Sequence, residues 1–213
     1  MIATIIGSTG LTGSFLVEQL LADSAITEVI SVARKPLNIS NAKLTEVLVS
    51  NLVELASIES KLRGDIYFCC LGTTIKAAGS KENFDKVDHD AIVEFARTAK
   101  AHDAQSFTLV SAMGANARSR IFYNQVKGRT EDDAKALELR SLVIFRPGLL
   151  VGPRHEFRLG ESIATRTLVP LSRLFPARIR KSLITEAETL ATRMLTEGKA
   201  APSGVHVILA KDI

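Results

Sequence analysis

Apolar runs of strand length recur at residues 2–6, 29–33, 46–49, 66–71, 107–110 and 142–145, and segments of helical period lie between them, clearest at 15–21 and 91–101. Strands that alternate with helices in this way predict an α/β fold built on a doubly wound parallel sheet. The runs are apolar throughout instead of alternating with polar residues, as strands must be when helices cover both faces of a sheet. A helix over 185–195 and a seventh short strand over 205–209 complete the pattern. Residues 147–180 hold four of the six prolines and predict irregular structure with short helices. The chain, 1–213, therefore reads as one domain in which residues 147–204 contribute a small C-terminal substrate lobe over the carboxyl edge of the sheet.

At 46% hydrophobic residues the chain can build a sizeable core, which excludes disordered and fibrous architectures. The charge of +4, from 27 basic and 23 acidic residues, suits an anionic small ligand as well as a nucleic acid. Cys69 and Cys70 are neighbours in an apolar run and cannot staple distant segments, so a reduced, cytoplasmic protein is expected, with both thiols as core residues. No run approaches the roughly 18 apolar residues of a membrane span, and no basic segment precedes the first apolar run. Neither a transmembrane helix nor a signal peptide is expected. The histidines are scattered, and no spaced Cys or His cluster predicts a metal.

Candidate chemistry begins where the first strand ends. Gly7-Ser8-Thr9-Gly10-Leu11-Thr12-Gly13 leads directly into the first helix, so its amides and the positive end of the helix dipole face any pyrophosphate placed there. The spacing is GxxGxxG, one residue longer in its first step than the common dinucleotide turn. An acidic residue at the end of the second strand would select NAD through the ribose 2′-hydroxyl. Arg34-Lys35 stands there instead, and two cations favour the 2′-phosphate of NADP(H). The fourth strand ends in Cys69-Cys70-Leu71-Gly72-Thr73-Thr74, which sets Leu71, Gly72 and Thr73 where a dinucleotide crosses the sheet edge.

After the fifth strand comes Ser111-Ala112-Met113-Gly114, and then Tyr123-Asn124-Gln125-Val126-Lys127 at the start of a helix running to about residue 138. A Tyr and a Lys four apart share a helical face, so the ammonium can draw the phenol pKa down from about 10 and make Tyr123 a general acid or base. Ser111 lies at a strand end, where its hydroxyl could orient a substrate carbonyl. A Tyr and a Lys at this spacing are common alone; here the glycine turn and the strand end precede them in the right order.

GSTGLTG, CCLGTT, YNQVKG and FRPGLLVG, in this order, resemble the atypical short-chain dehydrogenase/reductases of the Tat-interacting-protein type, within the NAD(P)-binding Rossmann, NmrA/epimerase-like superfamily. The likeness covers most of residues 1–155. It implies that Gly7, Gly10 and Gly13 bind pyrophosphate, that Arg34 favours NADP, and that Tyr123 and Lys127 hold the reductase active site with Ser111 as partner. It also implies that Arg146-Pro147-Gly148-Leu149-Leu150 ends the sixth strand beside the nicotinamide. Ala112-Met113 departs from the serine run of the sugar-nucleotide enzymes, and the chain is short beside them.

The expected function is NADPH-dependent reduction of a small carbonyl substrate. Two alternatives stay open: an NADPH-binding regulator that reports cofactor state to a protein partner, and a sugar-nucleotide epimerase or dehydratase. Segment 154–181 carries seven basic residues against two acidic ones, but Phe157 and Phe175 make no aromatic platform, which disfavours nucleic acid. His155 is the histidine nearest a substrate in this reading. The helix over 91–101 and the tyrosine-bearing helix could pair subunits in a homodimer, by fold analogy.

Overall fold

The computed structural model describes residues 1–52, 55–152 and 183–213. Its strands are β1 (Ile2–Ile6), β2 (Glu28–Ala33), β3 (Leu44–Leu48), β4 (Ile66–Cys69), β5 (Ser106–Val110), β6 (Ser141–Arg146), β7 (Leu149–Val151), β8 (Ile184–Glu186) and β9 (Gly204–Leu209). The described helices are α1 (Leu11–Ala22), α2 (Ile75–Ala78), α3 (Lys81–Asp85), α4 (Ala91–Ala101), α5 (Phe122–Ala136) and α6 (Ala187–Ala200). Seven strands form a parallel sheet in the order β3-β2-β1-β4-β5-β6-β9, and β7 pairs with β8 in a second, two-stranded sheet. The fold is the Rossmann-like α/β arrangement that the apolar runs predict.

Successive side chains of a strand point to opposite faces, and in the central strands both faces are buried. Ala3 and Ile5 of β1 join Phe68, Val143 and Phe145 in a cluster under α1 and α6, where Leu16, Leu20, Leu190 and Met194 cover them. Ile6, Tyr67, Cys69, Phe107 and Ile144 point the other way and pack against Ile92, Phe95 and Ala99 of α4. A chain of tilted rings, Tyr67 to Phe95 at 5.4 Å and Phe95 to Phe107 at 5.8 Å, fixes α4 over β4 and β5. Between α3 and α4 the helix widens into one π turn, Lys86–Asp90, before continuing. Such turns often mark functional positions, because they re-aim one side chain.

Some expectations need correction. Residue 185 belongs to β8, not to the following helix: Ile184 and Thr185 are β-branched, Thr185 Oγ1 accepts from Gly148 N at 3.0 Å, and the helix begins only at Ala187. Coverage on both faces fails at the sheet edge, where Val205, Val207 and Leu209 of β9 are 42–49% exposed among the described residues. The expected lobe over 147–204 falls largely on residues 153–182, outside the described residues.

The sheet reverses its winding between β1 and β4. β1 turns to β2 on one side and β4 on the other, so the loops leaving β1 and β4 diverge and open a crevice at their carboxyl ends. The site is built around this crevice.

Candidate active site

The turn after β1 is shaped by contacts that tolerate no side chain. Gly7 has φ +83°, and a Cβ there would sit 2.5 Å from the Cys70 carbonyl carbon, so only glycine lets the loops after β1 and β4 touch. A Cβ on Gly13 would sit 2.1 Å from the Gly7 oxygen, which is why α1 can close directly over the turn. Gly10 N donates to Gly7 O at 3.0 Å, and α1 begins at the next residue, Leu11.

No side chain caps α1 and no acidic residue occupies its first turn, leaving the amides and the positive dipole end for an anion. Thr12 is buried, and its hydroxyl oxygen has no partner among the described residues. An uncapped helix end, an orphaned buried hydroxyl and a turn without Cβ atoms together fit a pyrophosphate. Thr9 is exposed. Ser8 is buried and its Oγ accepts from Ser31 Oγ at 2.7 Å, which turns the side chain toward β2. Arg34 and Lys35 stand exposed just beyond β2, with no ion pair to any described residue.

Across the crevice, the loop after β4 meets α5. Leu71 is buried, and Thr73 N donates to Asp88 Oδ2 at 2.8 Å. Asp88 lies in the π turn, fully buried, and its Oδ1 is 2.7 Å from Lys127 Nζ. A Cβ built on Gly72 would be 3.6 Å from that carboxylate and 3.7 Å from the ammonium, which places Gly72 directly beside the ion pair. Burial is the largest influence on Lys127 and works against its charge. The Asp88 carboxylate, with the Tyr123 phenol, outweighs it and holds the lysine pKa above its ordinary value. Thr130 Oγ1 donates to the Asp88 carbonyl at 2.8 Å and ties α5 to the π turn. Tyr123 sits one turn before Lys127, its ring 5.6 Å from that of Phe84. The structure thus brings Tyr123, Lys127, Leu71, Gly72 and Thr73 to one region of the sheet edge.

Ser111 departs from its expected role. Its hydroxyl donates to Glu131 Oε1 at 2.6 Å, and both residues are buried. A hydroxyl has one hydrogen, and the buried carboxylate holds it, so Ser111 does not stand ready to donate to a substrate carbonyl. Arg146 closes the network, with Nε 2.9 Å and Nη2 2.6 Å from the two Glu131 oxygens. Pro147 follows at once, its carbonyl accepting from Met113 N at 3.0 Å, and Gly148 leads into β7.

Sequence reasoning does not single out Asp88 or Glu131, although both leave a signal. Phe84, Asp88, Ile92 and Phe95 form one buried stripe, and a carboxylate on such a stripe needs a cation opposite. Glu131 follows Lys127 by four residues on the buried face of α5.

Cys69 is a buried core residue, as expected, its thiol pushed up to about 12 by burial. Cys70 departs from the expected core position: it lies just past β4 and is only partly buried, its thiol also raised by burial and its sulfur 4.0 Å from Met194 Sδ. The Cys69 thiol should resist iodoacetamide at pH 8 in the folded protein and react once guanidinium unfolds it. Rapid double labelling of the native chain, read by intact mass, would show instead that the β4 end is open. His89 is held between Asp90 and Asp133, each at 2.8 Å, while His155 lies outside the described residues.

Residues 7–159 match NAD_binding_10, the family described as NAD(P)H-binding, well over half of the chain. The chain belongs to this NAD(P)H-binding family. Among similar proteins, "Protein FMP52-1, mitochondrial" of Scheffersomyces stipitis is 38% identical over 156 residues, covering 72% of this chain and 69% of that protein. HTATIP2 of Rattus norvegicus is 30% identical over 197 residues, covering 91% and 81%, which bears out the resemblance to the Tat-interacting-protein type. A solved double mutant of DesIV, a dTDP-glucose 4,6-dehydratase of Streptomyces venezuelae with NAD and DAU bound, superposes with a TM-score of 0.74 at 15% identity, covering 98% of this chain and 75% of that one. That likeness shows the fold.

Relatives named mitochondrial overturn the expectation of a cytoplasmic protein. Adjacent thiols that cannot form a staple do not tell one compartment from another.

Proposed function

We propose that this chain binds NADPH across the crevice and reduces a small carbonyl compound, with Tyr123 as the proton donor. The observation that carries the reading is the buried Lys127–Asp88 pair beside Gly72, one helical turn from Tyr123 and facing the uncapped end of α1 across the β1/β4 switch. The amides of α1, with Gly7, Gly10, Gly13 and the Thr12 hydroxyl, would hold the pyrophosphate, and Arg34 and Lys35 the 2′-phosphate. Leu71, Gly72, Thr73 and the segment Pro147, Gly148 and Leu149 would border the remaining path along the sheet edge. When bound, the nicotinamide supplies a hydride.

Everything else falls to the chain's own side chains. Tyr123 gives its phenolic proton to the carbonyl oxygen as the carbon is reduced, and the phenolate left behind regains a proton from water. Lys127 stays protonated and stabilises that phenolate, while Asp88 keeps the ammonium in place. Ser111 takes no part in the transfer; with Glu131 and Arg146 it fastens α5 to the ends of β5 and β6.

Thermal unfolding measured in parallel with NADPH and NADH tests the cofactor reading. A ligand at about 100 times its Kd adds roughly 2.7 kcal/mol, or about 5–11 °C for a domain of this size. The full rise is expected with NADPH and a much smaller one with NADH, and Arg34→Glu should erase the difference. No rise with either nucleotide overturns the reading, and equal rises overturn the preference for the 2′-phosphate.

A further inference from the structure

Next along the sheet edge from the tyrosine site, the carboxyl ends of β5, β6 and β9 surround a cavity of about 190 Å³ lined by Met113, Gly114, Arg146, Leu209, Ala210 and Lys211. Its floor is tied to the start of α5. Asn116 N donates to Asn124 O at 2.9 Å, and a Cβ on Gly114 would lie 3.1 Å from Asn124 Nδ2, beside Tyr123. The cavity is thus coupled to the element that carries the proton donor.

Among the described residues its lining holds two cations and no carboxylate. Arg146 is fixed in plane because Nε and Nη2 both bond the buried Glu131, whereas Nη1 bonds no described residue. A guanidinium held on two sides by a buried acid is pre-oriented, so a second carboxylate meeting its free nitrogen need not order it first. Glu131 offsets much of the Arg146 charge. Lys211, on the short turn Ala210–Asp212 and without an ion pair to any described residue, supplies the net positive charge. Met113 and Leu209, 49% and 42% exposed, offer apolar surface against those charges. The volume is below the roughly 300–1,000 Å³ of sites for drug-sized ligands, which limits the occupant to a small molecule.

We propose that this cavity holds the carboxylate end of the substrate, which makes the substrate class a short-chain oxo carboxylic acid. The inference rests on the reductase reading above. Its carboxylate meets Arg146 Nη1 and Lys211, and its short alkyl chain lies against Met113 and Leu209.

The test is a binding titration of the full chain with 4-oxopentanoate and with its methyl ester, followed by ligand-observed NMR, alongside the NADPH thermal shift. The acid should bind at least about tenfold more tightly than the ester. Lys211→Gln should weaken the acid about fivefold and leave the ester and the NADPH shift unchanged. Met113→Trp, which fills the cavity from a half-exposed position, should abolish acid binding while thermal stability is kept. Equal binding of acid and ester, or a Lys211→Gln variant that binds the acid as the parent does, overturns the proposal. An NADPH shift without acid binding overturns it and leaves the reductase reading intact; acid binding without an NADPH shift breaks its tie to a reductase.

Discussion

Replacing Tyr123 with Phe is expected to lower turnover of a carbonyl substrate by a factor of about 10²–10⁴, the usual contribution of a positioned general acid, while NADPH binding is retained. The substitution removes one oxygen and keeps the ring, so the 5.6 Å contact with Phe84 and the first turn of α5 survive. Lys127 keeps its partner Asp88, so the buried ion pair survives too. Loss of rate with an unchanged NADPH thermal shift would therefore report the missing proton and not a damaged fold. Ser111→Ala is the informative contrast. Its hydroxyl already donates to Glu131, so its removal should cost far less turnover than the loss of Tyr123. Turnover retained in Tyr123→Phe would remove the phenol from the mechanism. NADPH binding with no turnover in either the parent or the variant, over a screen of carbonyl compounds, would leave a cofactor-responsive regulator.

What the sequence made legible follows from which interactions are local. The apolar runs of β1, β2, β5 and β6 are long enough and bounded clearly enough to be placed within a residue or two, and α4 runs over the expected 91–101. The glycine turn was legible because its constraint is backbone geometry: a positive φ at Gly7 and the contact between Gly13 and Gly7 leave room only for glycine. Tyr123 and Lys127 were legible as a pair because helical periodicity alone sets them on one face.

The partners that decide what those side chains do come from elsewhere in the chain. Asp88 meets Lys127 only because a π turn aims it across to α5, and the 38 residues between them carry no periodic trace of that contact. Ser111 and Glu131 are 20 residues apart, and the strand end gives no hint that the hydroxyl turns toward a buried carboxylate. The exposure of β9 was hidden for a related reason. An apolar strand reads the same whether a neighbour covers it or it lies at the edge, and the sheet order decides which.

Asp88→Ala is expected to destabilise the fold by about 3–5 kcal/mol, the cost of breaking a buried ion pair by removing one partner. For a chain of this size that lowers Tm by roughly 6–20 °C. The loss arises from Lys127 more than from Asp88. Lys127 is 4% exposed, and without the carboxylate its charge faces burial unopposed, which is the largest influence on it.

The pH dependence separates this cause from simple cavity formation. In the parent chain the Lys127 pKa is raised, so the pair's contribution is fully present below the unfolded value of about 10.4 and fades only in strong alkali. In Asp88→Ala the folded pKa falls below the unfolded one. The unfolded chain then binds more protons, and stability rises with pH by up to about 1.4 kcal/mol per unit through that window. The stability difference between parent and variant should therefore shrink from pH 7 to pH 9. Asp88→Ala combined with Lys127→Met, which buries no charge, should recover much of the loss at pH 7 and show no such trend. A difference that stays constant with pH, or a double variant no more stable than Asp88→Ala, would mean that Asp88 acts through packing and its bond to Thr73, and that the ammonium is not what it holds in place.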